Sequence, residues 1–308
     1  MQKASVIILH YSGKENTTDC LKSLINIKLP KEVALEMVVV DNGTKPEFRI
    51  NDIRENLGKN VIKIIRNKEN LGFAGGNNVG ISYALKNGAD YVLVLNNDTV
   101  VDRNLIAELL KIAKTDESIG ILAPKIYFAK GFEFHKNRYT EEDLGKVFWY
   151  AGGEMDWGNV LGHHRGVDEV DHGQYDKIME TQFASGCCMF IKKAVFDKVG
   201  LFDDKYFLYY EDADFSERVK KANYKIVYAP SVILWHKNAG SAGGSGSKLQ
   251  DYYITRNRLL FGMRYAPVRA KFALFRESLK ILLTGRQWQK KGILDFYLNR
   301  FGKGSFSI

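Results

Sequence analysis

Three places in the sequence carry side chains able to do chemistry. The first is Asp90-Tyr91-Val92-Leu93-Val94-Leu95-Asn96-Asn97-Asp98, where five apolar residues stop at three polar ones. A carboxylate at the end of a buried strand can hold a divalent cation against a diphosphate. It can equally cap a turn. The second is Glu211, Asp212 and Asp214, three acids within four residues, set among Phe207, Tyr209, Tyr210 and Phe215. Mutual repulsion and apolar neighbours both raise a carboxyl's pKa toward general-base values, and Asp212 is the expected base. Acids in a first helical turn also complement the helix dipole, which accounts for Asp214 and Glu211 without catalysis. The third is His236, which ends an apolar run and leads into the Gly/Ser-rich stretch 239–247, expected to be flexible and lid-like. A lone histidine is more often a structural hydrogen-bonder. His163 and His164 are adjacent and point in diverging directions, so they read as surface or acceptor-side polarity, not as a metal pair.

Such residues need a frame that brings them together. Strands are expected at 5–10, 35–40, 61–65 and 91–95, and helices at 15–27, 74–86 and 102–114, the last with Asp102 as N-cap. This alternation implies right-handed crossovers and a parallel sheet, hence an α/β fold. Each strand then delivers polar residues to one edge: His10 and Tyr11, Asp41 and Asn42, Arg66 and Asn67, and Asn96 to Asp98. Ligands bind at such edges. The loop Asn70-Leu71-Gly72-Phe73-Ala74-Gly75-Gly76-Asn77-Asn78 lacks GxxxxGK and does not fit GxGxxG. Its helix start offers backbone N–H groups to an anion, or its glycines simply permit a tight turn. Beyond it come a strand at 120–127, a long excursion at 131–176, a strand at 180–191 broken at Ser185-Gly186, helices at 193–199 and 211–222, and strands at 225–228 and 232–235. The last sixty residues read as helices. Phe272, Phe275, Leu279 and Leu282 share a face flanked by Lys271, Arg276 and Lys280. Packing against the sheet suffices for that stripe, and a basic amphipathic helix on a membrane is the other reading.

Composition narrows the function classes. With 308 residues, 45% of them hydrophobic, the chain can bury one large core with an appendage. Cys20, Cys187 and Cys188 form neither a disulfide framework nor a CxxC zinc site, so a reducing cytoplasm is the simplest setting. Met1 to Lys3 lead straight into a strand-like run, so no signal peptide is expected, and no apolar run has transmembrane length. The net charge of +9 sits in 249–308, which holds twelve Lys/Arg against three Asp/Glu, leaving 1–248 neutral. The tail therefore suits an acidic partner surface, such as the inner face of a membrane. It carries no recognised nucleic-acid motif, which argues against a nucleic-acid-binding module. Tyr11-Ser12-Gly13-Lys14-Glu15 lacks the Gly-rich basic loop of nucleotidyltransferases. A carbohydrate binder without turnover has no use for a carboxylate cluster beside a metal site.

Taken in order, several motifs resemble the inverting glycosyltransferases of family 2, with the GT-A nucleotide-sugar fold, and within them the rhamnosyltransferase-like branch. They are Val38-Val39-Val40-Asp41-Asn42-Gly43, the 70–78 loop, Leu95-Asn96-Asn97-Asp98-Thr99, Gly186-Cys187-Cys188-Met189, Phe202-Asp203, Tyr210-Glu211-Asp212-Ala213-Asp214-Phe215, Trp235-His236, and Tyr252-Tyr253 with Arg256-Asn257. The resemblance implies a catalytic domain at 1–248, with 131–176 as an acceptor-side insertion, and a basic helical extension at 249–308. It implies that Asp41 contacts the nucleotide base beside His10, Tyr11 and Asn42. Arg66, Asn70, Gly72, Phe73, Asn77 and Asn97 would line the donor pocket. Asp98, with His236, would hold Mg²⁺ or Mn²⁺. Asn96 stands where many members carry the first acid of the DxD-type motif, so fewer acids hold the cation. Asp212 would deprotonate the acceptor, and Trp149, Gly186 and Glu211 fall on the acceptor side. The implied donor is a nucleoside-diphosphate sugar, first dTDP-L-rhamnose, with UDP-hexoses and UDP-galactofuranose open. The implied acceptor is a glycan or a lipid-linked saccharide.

Overall fold

The computed structural model describes residues 1–49, 61–238 and 246–307. The chain begins β1 (Gln2–His10), α1 (Lys14–Ile25), β2 (Val33–Asp41), β3 (Val61–Arg66), α2 (Gly72–Lys86), β4 (Tyr91–Asn96), β5 (Thr99–Val101), α3 (Leu105–Ala113) and β6 (Ile119–Phe128). It continues through β7 (Phe148–Tyr150), β8 (Gly153–Asp156), β9 (Leu161–His164), β10 (Met179–Glu180), β11 (Cys188–Lys192), α4 (Lys193–Val199), α5 (Glu211–Lys221) and β12 (Lys225–His236). Three helices close it: α6 (Lys248–Tyr265), α7 (Val268–Thr284) and α8 (Gln287–Tyr297).

The main sheet has the order β10-β12-β6-β11-β4-β1-β2-β3, with β5 on β12 and β7 on β6. Its long ladders are parallel, and a parallel sheet needs both faces covered. That is why Val38 to Val40 and Val92 to Leu95 are continuous apolar runs, all buried. The register sets the polar edge: His10 lies opposite Asp41, Asp41 opposite Arg66, and Leu9 opposite Asn96. β11 runs antiparallel to β4 and β6. Its chain enters from the polar edge, where Asn96 N donates to Cys187 O at 2.9 Å. β12 lies parallel to β6 and so carries His236 to the same edge.

Several expectations change. The two strands at 225–228 and 232–235 are one strand, β12, with a register shift between Ala229 and Ile233 that absorbs Pro230. The strand expected at 180–191 is only β10 and β11, because 181–187 is looped toward the site. Asp102 is not the N-cap of α3. Asn104 holds that position, and Asp102 Oδ1 accepts from its N–H at 2.8 Å. The lid-like expectation for 239–247 falls, at 239–245, outside the described residues. The 131–176 excursion supplies β7 and the hairpin β8–β9, and is tied down by buried Lys125, whose Nζ donates to Asp171 and Asp176 at 2.6 and 2.5 Å. Cys20, Cys187 and Cys188 are buried and free.

The tail is helical as expected, but its apolar stripe is not packed. α7 docks through Ala270, Leu274 and Ser278, small or aliphatic residues that let it approach α6 and α8 closely. Phe272, Phe275 and Leu279 face outward at 67%, 45% and 45% exposure. Only Leu282 of the expected set turns partly inward. Packing therefore does not account for the stripe.

Candidate active site

A cleft with room for about 190 Å³ opens at the polar edge of the sheet. Tyr11 and Ser12 after β1, Asn96 to Asp98 after β4, and Asn42, Asn70, Gly72 and Phe73 border it. Its far wall is Phe207 and Leu208, with Leu249 of α6. Tyr11 is 48% exposed, an aromatic ring available for stacking. Asn42 is buried and holds the loop: its amide donates to Asn70 Oδ1 and Gly72 O, and its Oδ1 accepts from Asn67 and Leu71. Asn97 donates to Ser12 O and Thr17 Oγ1, tying the end of β4 to the loop after β1.

His10, Asp41, Arg66 and Asn77 do not line this cleft among the described residues. His10 Nδ1 pairs with Thr17 Oγ1 at 2.7 Å, and Phe48 packs on its ring. Asp41 is 2% exposed; its carboxylate accepts from Thr44 N and Oγ1 and from Phe48 N. Burial pushes this carboxyl up, yet those hydrogen bonds outweigh burial and hold it below the ordinary 3.8. Arg66 donates to Phe48 O and pairs with Glu47. Asp41 and Arg66 thus shape the 44–48 loop beside the cleft. Asn77 turns into α2 and donates to Phe73 O. The N–H groups expected to greet an anion at the start of α2 are taken as well. Phe73 N and Ala74 N both donate to Phe207 O, at 2.6 and 3.3 Å, and Gly72 N donates to Asn70 Oδ1. Gly72, at φ +74°, permits this approach, since a Cβ there would lie 2.3 Å from Phe207 O.

A second pocket, about 280 Å³, lies beyond the 206–210 segment. Asp212, Tyr209 and Tyr210 border it on one side, Leu161 and His164 of the β8–β9 hairpin on the other, with Ile254 of α6. The two pockets share a wall: Phe207 and Leu208 face one, Tyr209 and Tyr210 the other. Gly186 sits at the junction. Its N–H donates to Asp212 Oδ2 at 2.9 Å, and a Cβ there would lie 3.0 Å from the Phe73 ring. Burial pushes the Asp212 carboxyl up, against the N–H groups of Gly186 and Ala213. Glu211 is buried, does not line the pocket, and has one carboxyl oxygen without a partner among the described residues. Burial first, and the Asp212 charge second, hold it well above the ordinary 4.5. Asp214 is structural: it accepts from Arg218, Arg264, Tyr206 and Tyr265.

An aromatic bridge runs from Asp98 to the second pocket. His236 Nε2 lies 3.1 Å from Asp98 Oδ1. Trp149 stands between His236 and His164, its ring 4.5 and 4.3 Å from theirs, edge to face. His164 borders the second pocket, and burial lowers it to about 4, so it is neutral at physiological pH. His163 points out to solvent, as the diverging pair implied.

Residues 5–200 match the family model for glycosyl transferase family 2. The chain belongs to glycosyltransferase family 2. This family-2 glycosyltransferase is 27% identical over 257 residues, 83% of its length and 74% of the relative's, to the low-salt glycan biosynthesis hexosyltransferase of Haloferax volcanii. A stretch of 59 residues, 19% of each chain, is 42% identical to the N-acetylglucosaminyl-diphospho-decaprenol L-rhamnosyltransferase of Mycobacterium tuberculosis. Among solved structures, that of GalNAc-T7 with UDP, GalNAc and Mn2+ matches with a TM-score of 0.60 at 17% identity, over 96% of this chain and 57% of the other. That likeness is one of fold, and the fold is the GT-A arrangement expected from the motifs.

The residues present fit the divalent cation that the fold implies. Asp98 lines the cleft, and buried His236 places its Nε2 beside the Asp98 carboxylate from behind it. No group of three or more His, Cys, Asp or Glu side chains gathers for a metal among the described residues. Asp98 and His236 would be the protein's share of the ligands, and the rest would have to come from substrate and water. The sequence did not single out Phe207 and Leu208 as a wall of the cleft, His164 as part of the bridge, or Asn257 as the anchor of that wall. Tyr-Tyr with Arg-Asn in the tail was the available signal for the last.

Proposed function

We propose that this glycosyltransferase moves a hexose from a nucleoside-diphosphate donor to an acceptor hydroxyl with inversion at the anomeric carbon. The donor lies in the cleft at Tyr11, Asn97 and Asp98, and the acceptor in the pocket at Asp212. The observation carrying this reading is the shared wall: Asp98 and Asp212 serve adjoining pockets parted by a single turn of chain. Asp98 and His236 would hold a divalent cation, which would supply positive charge against the departing diphosphate. Asp212, its carboxyl raised by burial, takes the acceptor proton as the oxygen attacks from the face opposite the leaving group. Trp149 and Gly186 keep the two sides in register. L-Rhamnose on dTDP is the first donor to test, supported by the mycobacterial relative, with UDP-hexoses and UDP-galactofuranose next. The acceptor is a glycan or a lipid-linked saccharide.

A thermal-shift screen of nucleotide sugars with Mg²⁺ and with Mn²⁺ identifies the donor. With that donor, titration calorimetry compares the native protein with Asp98→Ala, each with cation and with EDTA. Native binding is expected to weaken about ten-fold or more on chelation, and Asp98→Ala to bind weakly in both conditions. Equal affinity in all four measurements refutes the cation site.

A further inference from the structure

We infer that the outward face of α7 seats the protein on an anionic lipid bilayer by shallow insertion. Val268, Phe272, Phe275, Leu279 and Leu283 are 70%, 67%, 45%, 45% and 80% exposed. At about 100° per residue they fall within an arc of roughly 80°. Single exposed apolar side chains are ordinary, but five in one row along a helix are an uncovered face. This row points away from the packed face of Ala270, Leu274 and Ser278.

Charge selects the occupant. Lys271 flanks one side of the row, and Arg269, Arg276 and Lys280 flank the other. The one acid of α7, Glu277, lies off the row and accepts from Arg258 Nη1 of α6 at 2.8 Å. Residues 266–303 hold nine Lys/Arg and two Asp/Glu, and the second acid, Asp295, is buried against Tyr252 and Ser305. A second copy docked on this face would bring the same cations against themselves. Anionic headgroups instead meet the basic rim while the row enters the acyl boundary, as for helices lying in the membrane plane. No helix among the described residues is long and apolar enough to cross a membrane.

The face is also wired to the second pocket. Arg258, which holds Glu277, donates through Nε to Asn159 O at 2.8 Å. Two residues on, Leu161 borders the pocket of Asp212 and is 41% exposed. A lipid-borne acceptor would suit this link, but the docking inference does not depend on the proposed reaction.

The test is flotation of the full chain with phosphatidylcholine–phosphatidylglycerol vesicles, against phosphatidylcholine alone. The native protein is expected to float with the anionic vesicles. The triple variant Phe272→Ser, Phe275→Ser, Leu279→Ser should bind about ten-fold more weakly or worse, with its melting temperature and donor-induced thermal shift unchanged. A Phe275→Trp protein should show blue-shifted emission on binding, quenched by brominated acyl chains. Flotation unaffected by the triple variant, or Phe275→Trp emission that stays in water, overturns the inference. So does a lack of flotation, including the case of a dimer that the triple variant dissolves. Because donor binding is read separately, its loss in the native protein would count against the proposed function alone.

Discussion

Asp212 receives two backbone N–H groups, yet burial keeps its carboxyl above the ordinary 3.8. The base role proposed for Asp212 requires activity to fall when its proton acceptor is removed, with binding in the cleft across the wall retained. Asp212→Asn is expected to lower turnover about 10²–10⁴-fold while calorimetric donor affinity stays near native. Turnover that persists would remove Asp212 from the reaction. The native pH–rate profile should rise through a value above 3.8. Glu211 gives a second, thermodynamic signature. Unfolded, it loses its proton near 4.5; folded, it keeps the proton well above that. Between those values the folded state holds the extra proton, so stability falls as pH rises through the window and is level above it. Glu211→Gln abolishes this dependence. Its melting temperature should exceed the native one near pH 8 and approach it toward about pH 4. A difference that stays constant across pH would show that Glu211 is ionised in the fold.

The elements hold these carboxyls through one strained turn. Phe207, Tyr209 and Tyr210 have φ of 64°, 70° and 72°, each costing about 1–3 kcal/mol for a residue with a side chain. α6 offsets that cost. Buried Asn257 Nδ2 donates to the carbonyls of Tyr206, Leu208 and Tyr209, all at 2.8 Å, and buried Arg256 donates to Lys205 and Tyr206. Asn257→Ala removes this donor from the carbonyls of Leu208 and Tyr209, while Tyr206 keeps Arg256. Expected are a loss of about 3 kcal/mol or more of stability in urea melts and a fall in both donor affinity and turnover. Native kinetics in the variant would mean that the turn holds itself. This turn explains what the sequence could and could not disclose. The polar sheet edge was legible because apolar runs end at His10, Asp41, Arg66 and Asn96, and parallel pairing keeps such ends level. Positive φ at two tyrosines and a phenylalanine leaves no glycine to mark it. The free N–H groups expected at α2 were lost to Phe207 O, a carbonyl 134 residues away in the chain. The reversal of β11 was equally silent, because a short buried strand reads the same in either direction.

At the scale of the molecule, the expected division at 248 separates by charge what the fold joins by packing. The basic excess of 249–308 is real, but its first helix lies inside the site. Leu249 borders the cleft at the sheet edge and Ile254 the second pocket. Tyr252 and Tyr253 are buried against Phe207 and Phe306, and Tyr252 pairs with Asp295 of α8. Arg264 reaches Asp203 and Asp214, so α5, which begins at Glu211 and Asp212, is also pinned by the tail. Charge and core therefore follow different boundaries: α6 belongs to the site, and the surplus of cations belongs to the outer faces of α7 and α8. A chain ending at 248 would expose the underside of the 206–210 wall and leave Asp214 with its two remaining tyrosine and arginine partners from 206 and 218. It is expected to lose its cooperative melt and its donor-induced thermal shift together, whereas the α7 triple serine variant keeps both. A 1–248 protein that binds donor with native affinity would show that the wall stands without α6, and would return the tail to the role of an appendage.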